Sequence, residues 1–441
     1  MKSSIVGFCW DHMQRGGGGG VRTLVAASRR AGWTQQAARA FSVANREGNA
    51  VQHVALDRLA HQSRLQLLLS DATRAAIHVV PTLNQADFAF RVLDVTEGAA
   101  TSELVDVFAV HEELVGDAVK AVKLVKDGSV GNGGKDLAVE LHIPHLIDLD
   151  ITAPHGTVSI VDKIEGNVKI ALGDGDIRVN KLRGEQIQLK TNRGRVDVDT
   201  LVEGSNVKIA ASALNVKRVM SESVDVKVGK GAELAEFGAI YAATCVINSS
   251  SSGSLKVGNV HGFLRVNAEG MEQISLNGIN GAVHVEDSGA SCSVDAHFDG
   301  WSTDAANKIF VGGEARISLD PSAPIDVELH GTRITTDGCE FNESELDQLD
   351  EDYAIFTGAV KPNESAKAGM TATSGKINVG SAKNAALRTS FFANDTEAGE
   401  AGDNIHPARL PRLVVHTSNG SVSLEQLDWM AKIKRKHLKN Q

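Results

Sequence analysis

The sequence is poor in rings. Aromatic residues make up 4% of its 441 positions, with four Trp and two Tyr. So few rings cannot fill the wide core of a conventional large enzyme domain, and they leave little for a sugar to stack on. Proline is scarce as well, at eight residues. Cysteine occurs at Cys9, Cys245, Cys292 and Cys339, with no CxxC pair. That spacing argues against a zinc ribbon and against a disulfide framework, and it reads as reduced, structural thiols. No apolar run reaches 18 residues, so no transmembrane segment is expected. A GxSxG elbow, a P-loop and a dinucleotide fingerprint are all missing. A net charge of −10 argues against a nucleic-acid partner.

What is present is glycine, at 43 residues, and small branched side chains. They suit thin layers rather than one wide core. The charge is also unevenly placed. Residues 1–41 hold Lys2, Arg15, Arg22, Arg29, Arg30 and Arg39 against the single acid Asp11, a net of +5 that leaves −15 on the remainder. Arg-rich, Ala- and Ser-containing and acid-poor is the composition of a mitochondrial transit peptide. "RAFS", with Arg39, Phe41 and Ser42, fits a matrix-processing site with cleavage before Ser42. A mitochondrial address, most simply the matrix, is the expectation. An extension without an address is the alternative.

Residues 42–135 read as a small strand-rich region. Here "DRLAHQSRLQLLLS" offers a helix, or a helix followed by a strand. From His155 the text becomes periodic. Gly156, Gly175 and Gly194 interleave with Gly166, Gly184 and Gly204, in steps of 19 and 19, then 18 and 20. Between them Val158/Ile160, Val168/Ile170, Ile177/Val179, Ile187/Leu189, Val196/Val198 and Val207/Ile209 fall two apart. Period two puts each pair on one strand face and turns Ser159, Lys169, Arg178, Gln188, Asp197 and Lys208 the other way. One such strand cannot bury enough surface alone, but stacked copies make a continuous core. The expected fold is therefore all-β, a β-solenoid of short Gly-cornered strands over 136–425. An antiparallel sandwich is the alternative.

Two excursions interrupt the stack, an acidic insertion at about 338–369 and a loop at 393–411. The acidic run holds Glu340, Glu343, Glu345, Asp347, Asp350, Glu351 and Asp352. Residues 426–441 read as a basic C-terminal helix carrying Lys432, Lys434, Arg435, Lys436 and Lys439.

With the preceding "LHIPHLIDLDITAPHGTVSI", the Gly-cornered repeats resemble the putative-adhesin repeat family, and most of all its eukaryotic mitochondrial-type members. The resemblance covers about residues 135–335 and extends weakly to 425. It implies a right-handed β-solenoid and brings no catalytic residues with it.

The remaining constellations are few. "GDGDI" at 173–177 resembles one calcium-binding nonapeptide unit, but Arg193 and Arg195 stand at the next corner where acids are needed, so a turn is the plainer reading. Asp197 and Asp199 share a strand face, with Asp176 one coil away, which is the pattern a glycoside hydrolase would use. His142, His145 and His155 bracket a strand without metal-site spacing. Cys245 and Cys292 sit in strand-like text and should pack as small apolar residues. No catalytic residue, metal or cofactor is assigned. The expected function is a non-enzymatic binding or scaffolding solenoid with a protein partner. A carbohydrate-active β-helix enzyme is the alternative. The oligomeric state is not written in the sequence.

Overall fold

The computed structural model describes residues 50–427 apart from 57–58, 71–72, 85–87, 95–107, 116–117, 127–135, 303–305, 323, 351 and 363–409. The unit Met1–Gly48, and with it Arg39, Phe41 and Ser42, lies outside the described residues. So do residues 393–409 of the expected loop and 428–441 of the expected C-terminal helix.

Every regular element among the described residues is a β-strand, and together they form a β-solenoid. The strand Arg195–Ala211 shows how one coil is made. It runs through Val196 and Val198, turns a corner, runs through Val202, turns again and runs through Val207 and Ile209, all buried. Its first part pairs in parallel with Ile177–Arg183 and its last with Gln186–Arg193, while Ala213–Val228 pairs with it along its length on the other side. Each coil thus has three faces.

Register holds across the stack. On the first face Val158, Ile177, Val196, Leu214, Ala235, Leu255, Ile274, Val294 and Ala315 form one inward column. On the third face Leu149, Val168, Ile187, Val207, Val224, Cys245, Leu264 and Val283 form another. Cys245 therefore packs as an apolar rung, as expected. Each buried Val or Ile is worth roughly 1.5–3 kcal/mol, but only because the coils on either side cover it.

The glycines mark where coils touch backbone to backbone. A Cβ on Gly175 would lie 1.5 Å from the carbonyl oxygen of Gly156, and one on Gly184 would lie 2.0 Å from that of Gly166. A positive φ is a second reason for glycine at Gly156, Gly166 and Gly175. It does not apply at Gly184, Gly194 or Gly204, where close approach alone excludes a side chain.

The ends of the stack are interleaved. Strands Leu59–Leu69 and Arg74–Thr82 lie between the coil of Ala118–Lys126 and Asp136–Pro144 on one side and Ile147–Glu165 on the other. The change of sequence texture at 136 is thus not a break in the stack. Leu59–Leu69 is a strand and not a helix, because Leu65, Leu67 and Leu69 alternate inward. At the other end Arg412–Thr417 and Ser421–Gln426 lie between Asn307–Val311 with Ala315–Leu319 and Ile325–Gly331 with Arg333–Thr335.

Antiparallel strands close both ends. Phe88–Asp94 and Ala109–Val115 do so at the N-terminal end. At the C-terminal end the acidic insertion is a hairpin rather than a loose excursion. Tyr353–Val360 pairs with Ile325–Gly331, and Phe341–Asp350 pairs outside it. Phe356 and Val360 are buried, and Phe341 stands against Phe356 with ring centres 5.0 Å apart.

Candidate binding faces

The outward positions of the first face line up as Ser159, Arg178, Asp197, Asn215, Glu236 and Lys256, one per coil. On the third face the row is Gln66, Asp150, Lys169, Gln188, Lys208 and Asp225. The hydrogen-bonded ladder fixes the spacing at about 4.8 Å.

Several of these side chains are less free than alternation alone predicts. Ser159 is covered. Asp197, expected in solvent, is half-buried, and its Oδ1 is enclosed without a hydrogen-bond partner. Burial holds its carboxyl above the usual range; Arg195 and Arg178 pull it down, while Asp176 and Asp199 push it up. Asp199 accepts from Arg178 Nε at 2.9 Å, and Asp176 Oδ1 accepts the Arg195 backbone N–H at 2.8 Å. The structure therefore gathers the three acids named from the sequence, with a half-buried one in the middle.

On the third face Asp150 is almost wholly buried. Its Oδ2 lies 3.4 Å from Gln66 Nε2, 3.6 Å from Arg64 and 3.7 Å from Lys169, while its Oδ1 has no hydrogen-bond partner. It lines a shallow cleft of about 320 Å³ with Asn167, Lys169, Gln186, Gln188 and Lys208. At the far end of the same row, Asp225 Oδ1 is also enclosed and unpartnered.

The other candidates separate. Asp174 of "GDGDI" is gripped by Arg193 at 2.6 Å through both oxygens and faces His155 at 3.3 Å, so the calcium pattern is closed by arginine. The Arg193 hydrogen bond holds the Asp174 carboxyl below its usual range. The three histidines do not converge. His142 bonds Glu140 at 2.9 Å, His145 bonds the Thr82 carbonyl at 3.1 Å, and His155 faces Asp174. Burial pushes the Cys245 and Cys292 thiols up to about 12 and that of Cys339 to about 11, so all three stay protonated at neutral pH. Among the described residues no helix is long and apolar enough to cross a membrane.

Two hydrogen-bonded relays were not legible in the sequence. Ser318 Oγ and Asp299 Oδ1 bond the two ring nitrogens of His297 at 2.8 and 2.9 Å, with Ser318 and His297 both buried. Tyr353 donates to His330 Nδ1 at 3.0 Å, and His330 Nε2 donates to Glu328 at 2.8 Å. Arg412 also bonds Glu328. His297, Ser318 and Asp299 come from adjacent coils, and the members of the second relay from three separate strands. His297/Asp299 and Glu328/His330 are each two apart on one strand, but no local pattern brings in Ser318, Tyr353 or Arg412.

No family model matches the chain, and no curated protein matches its sequence. One solved structure, a "putative cell adhesion protein" from Clostridium sporogenes, aligns over 85% of this chain and 99% of its own at 7% identity, with a TM-score of 0.14. At that level the likeness carries no argument about this chain.

Proposed function

We propose that the chain is a non-enzymatic binding or scaffolding solenoid that works in mitochondria and presents its flat outer faces to a protein partner. The carrying observation is the pair of charged rows on the first and third faces. Their side chains are held at fixed spacing by the stack, and three of their carboxylates keep an enclosed oxygen without a hydrogen bond. Rows that rigid offer a partner a preorganised pattern of charge, which sets specificity and register more than raw affinity. The adhesin-like resemblance of the repeats fits this reading, as do the basic, acid-poor residues 1–41 with "RAFS". Proximity labelling in intact cells tests it: specific mitochondrial neighbours should be marked, and Lys169→Glu with Lys208→Glu should reduce their marking. Sequencing the N-terminus of the protein from mitochondria should find Ser42. An intact Met1 in the cytosolic fraction would remove the address.

The carbohydrate-active reading keeps one observation in its favour. Asp197 holds its proton above the usual range beside two further carboxyl groups, those of Asp176 and Asp199, as the general acid of a carboxylate pair would. Turnover of an oligosaccharide by purified protein, lost in Asp197→Asn, would replace the binding proposal with this one.

A further inference from the structure

The two charged rows are complements of each other. Along the third face the order is Asp150, Lys169, Gln188, Lys208, Asp225. In sign this is acid, base, amide, base, acid. Along the first face the order is Arg178, Asp197, Asn215, Glu236, Lys256, or base, acid, amide, acid, base. Both rows advance one coil at a time, so their spacing is identical. Placed face to face they form four opposite-charge pairs around one amide pair, with no like charges opposed. Each pattern is a palindrome, so the match holds whether the two stacks run in the same or in opposite directions.

We infer that the third face of one copy docks on the first face of a second copy of this chain. A second copy is the occupant because its rungs repeat at the same strand spacing of about 4.8 Å. An extended peptide laid along the stack rises 3.2–3.4 Å per residue and falls out of step within a few rungs. The enclosed oxygens add a physical reason. Asp150, Asp197 and Asp225 have each already lost hydration on one oxygen without gaining a hydrogen bond. Part of the desolvation cost that weakens most ion pairs at interfaces is thus met within the single copy. A base brought opposite finds a carboxylate that water solvates poorly. Arg178 is shared with Asp199, and Asp150 with Arg64 and Lys169, within the single copy, so the pairs these residues make contribute least.

The contact is heterologous: the two faces differ, and each copy carries both. Association through one pair leaves one row of each kind open, so assembly continues into a ring or a filament. Five rungs span only about 19 Å, smaller than a standard interface, so a single contact is weak, reversible and salt-sensitive. Self-association rests on the binding reading of these faces. It is measured on purified chain, whereas partner capture is measured in cells, so either can fail alone.

The test is sedimentation velocity of the full chain with three single variants at exposed row positions, Lys169→Glu, Lys208→Glu and Glu236→Lys. Circular dichroism confirms that each remains folded. The wild type should sediment faster with rising concentration at ionic strength below about 0.05 M. It should run as a single copy near 1 M, where the Debye length is about 3 Å. Each variant alone should need several-fold higher concentration to associate. Combining Glu236→Lys with Lys208→Glu in one chain should restore association if the stacks run in the same direction, and combining it with Lys169→Glu if they run in opposite directions. A single species at every concentration in low salt overturns the inference. So does association that ignores all three substitutions, or a loss that neither double variant repairs.

Discussion

Val422 pairs rung to rung with Ala315 on one side and with Ile334 on the other, although the chain reaches Ile334 first. The segment 412–426 therefore holds together two coils that are consecutive in sequence but not in space. Leu413 and Leu424, both buried in this inserted coil, should each cost about 2–5 kcal/mol when changed to Ala. Ser418→Ala, exposed beside them, should stay within about 0.5 kcal/mol. Urea unfolding measures both. Equal, small effects would mean that the inserted coil is not part of the core.

Val196 and Asp197 set the register of the first face. Val196→Asp should destabilise by several kcal/mol, because it buries an unpaired carboxylate among Ile177 and Leu214. Asp197 itself carries a pH signature. Its carboxyl is raised in the folded state, so the fold holds the proton more tightly than the unfolded chain does. Stability is then lost as pH rises from about 3.9, the unfolded value, through the raised folded value. Asp197→Asn should remove that loss and leave the neutral-pH protein at least as stable as the wild type. Parallel melting-temperature profiles for the two proteins from pH 3 to 7 would contradict this.

Gly175 and Gly229 separate close approach from mere flexibility. Gly175→Ala drives a methyl into the Gly156 carbonyl at a positive φ and should cost several kcal/mol or prevent folding. At Gly229 the nearest atom to an added Cβ is 3.6 Å away, and alanine there should be tolerated within about 1 kcal/mol. Calorimetric melting of the two variants decides the matter.

The acidic hairpin should be tied to stability. Periodicity alone places 340–352 outside the rungs, which leads one to expect that the fold survives its removal unchanged. Phe341 packs on Phe356, and Phe356 on the terminal coil, so deleting 340–352 should lower the melting temperature. Phe341→Ala should reproduce most of that loss, whereas Glu345→Gln at an exposed position should not.

In a Cys9→Ser background the thiols should be silent. Cys245, Cys292 and Cys339 are pushed up to about 12, 12 and 11, so alkylation at pH 8 should be slow. Cys245 and Cys292, buried, should react only at the rate of opening, and Cys339, partly exposed, should react first. Mass spectrometry of timed samples reads the order.

The repeating core was legible because it is written at short range. Val196 and Val198 are two apart, and Gly175 returns as Gly194, so alternation and period can be read by eye. What stacks on what at the ends was not legible. Leu65 meets Leu149 and Val122, and Val415 meets Ile309, through pairings that no local pattern records. The half-burial of Asp197 is not legible, because alternation assigns a face and not the crowding on it. The complementary rows were present all along in the middle letter of each repeat. They emerge only once the corners fix which letters share a column, since coils of unequal length shift the count between Asn215, Glu236 and Lys256.

The interleaved ends also restrict how such a chain can change length over generations. A plain array grows by copying a unit onto either terminus. Here each end is locked by a segment threaded between two others, so a unit added at 59 or at 426 would land beside the wrong neighbour. Only the stretch from 147 to 319, where order along the chain and order in space agree, can gain or lose a coil by duplication without re-threading the ends. Relatives of different length should differ there, in whole coils of about 19–21 residues.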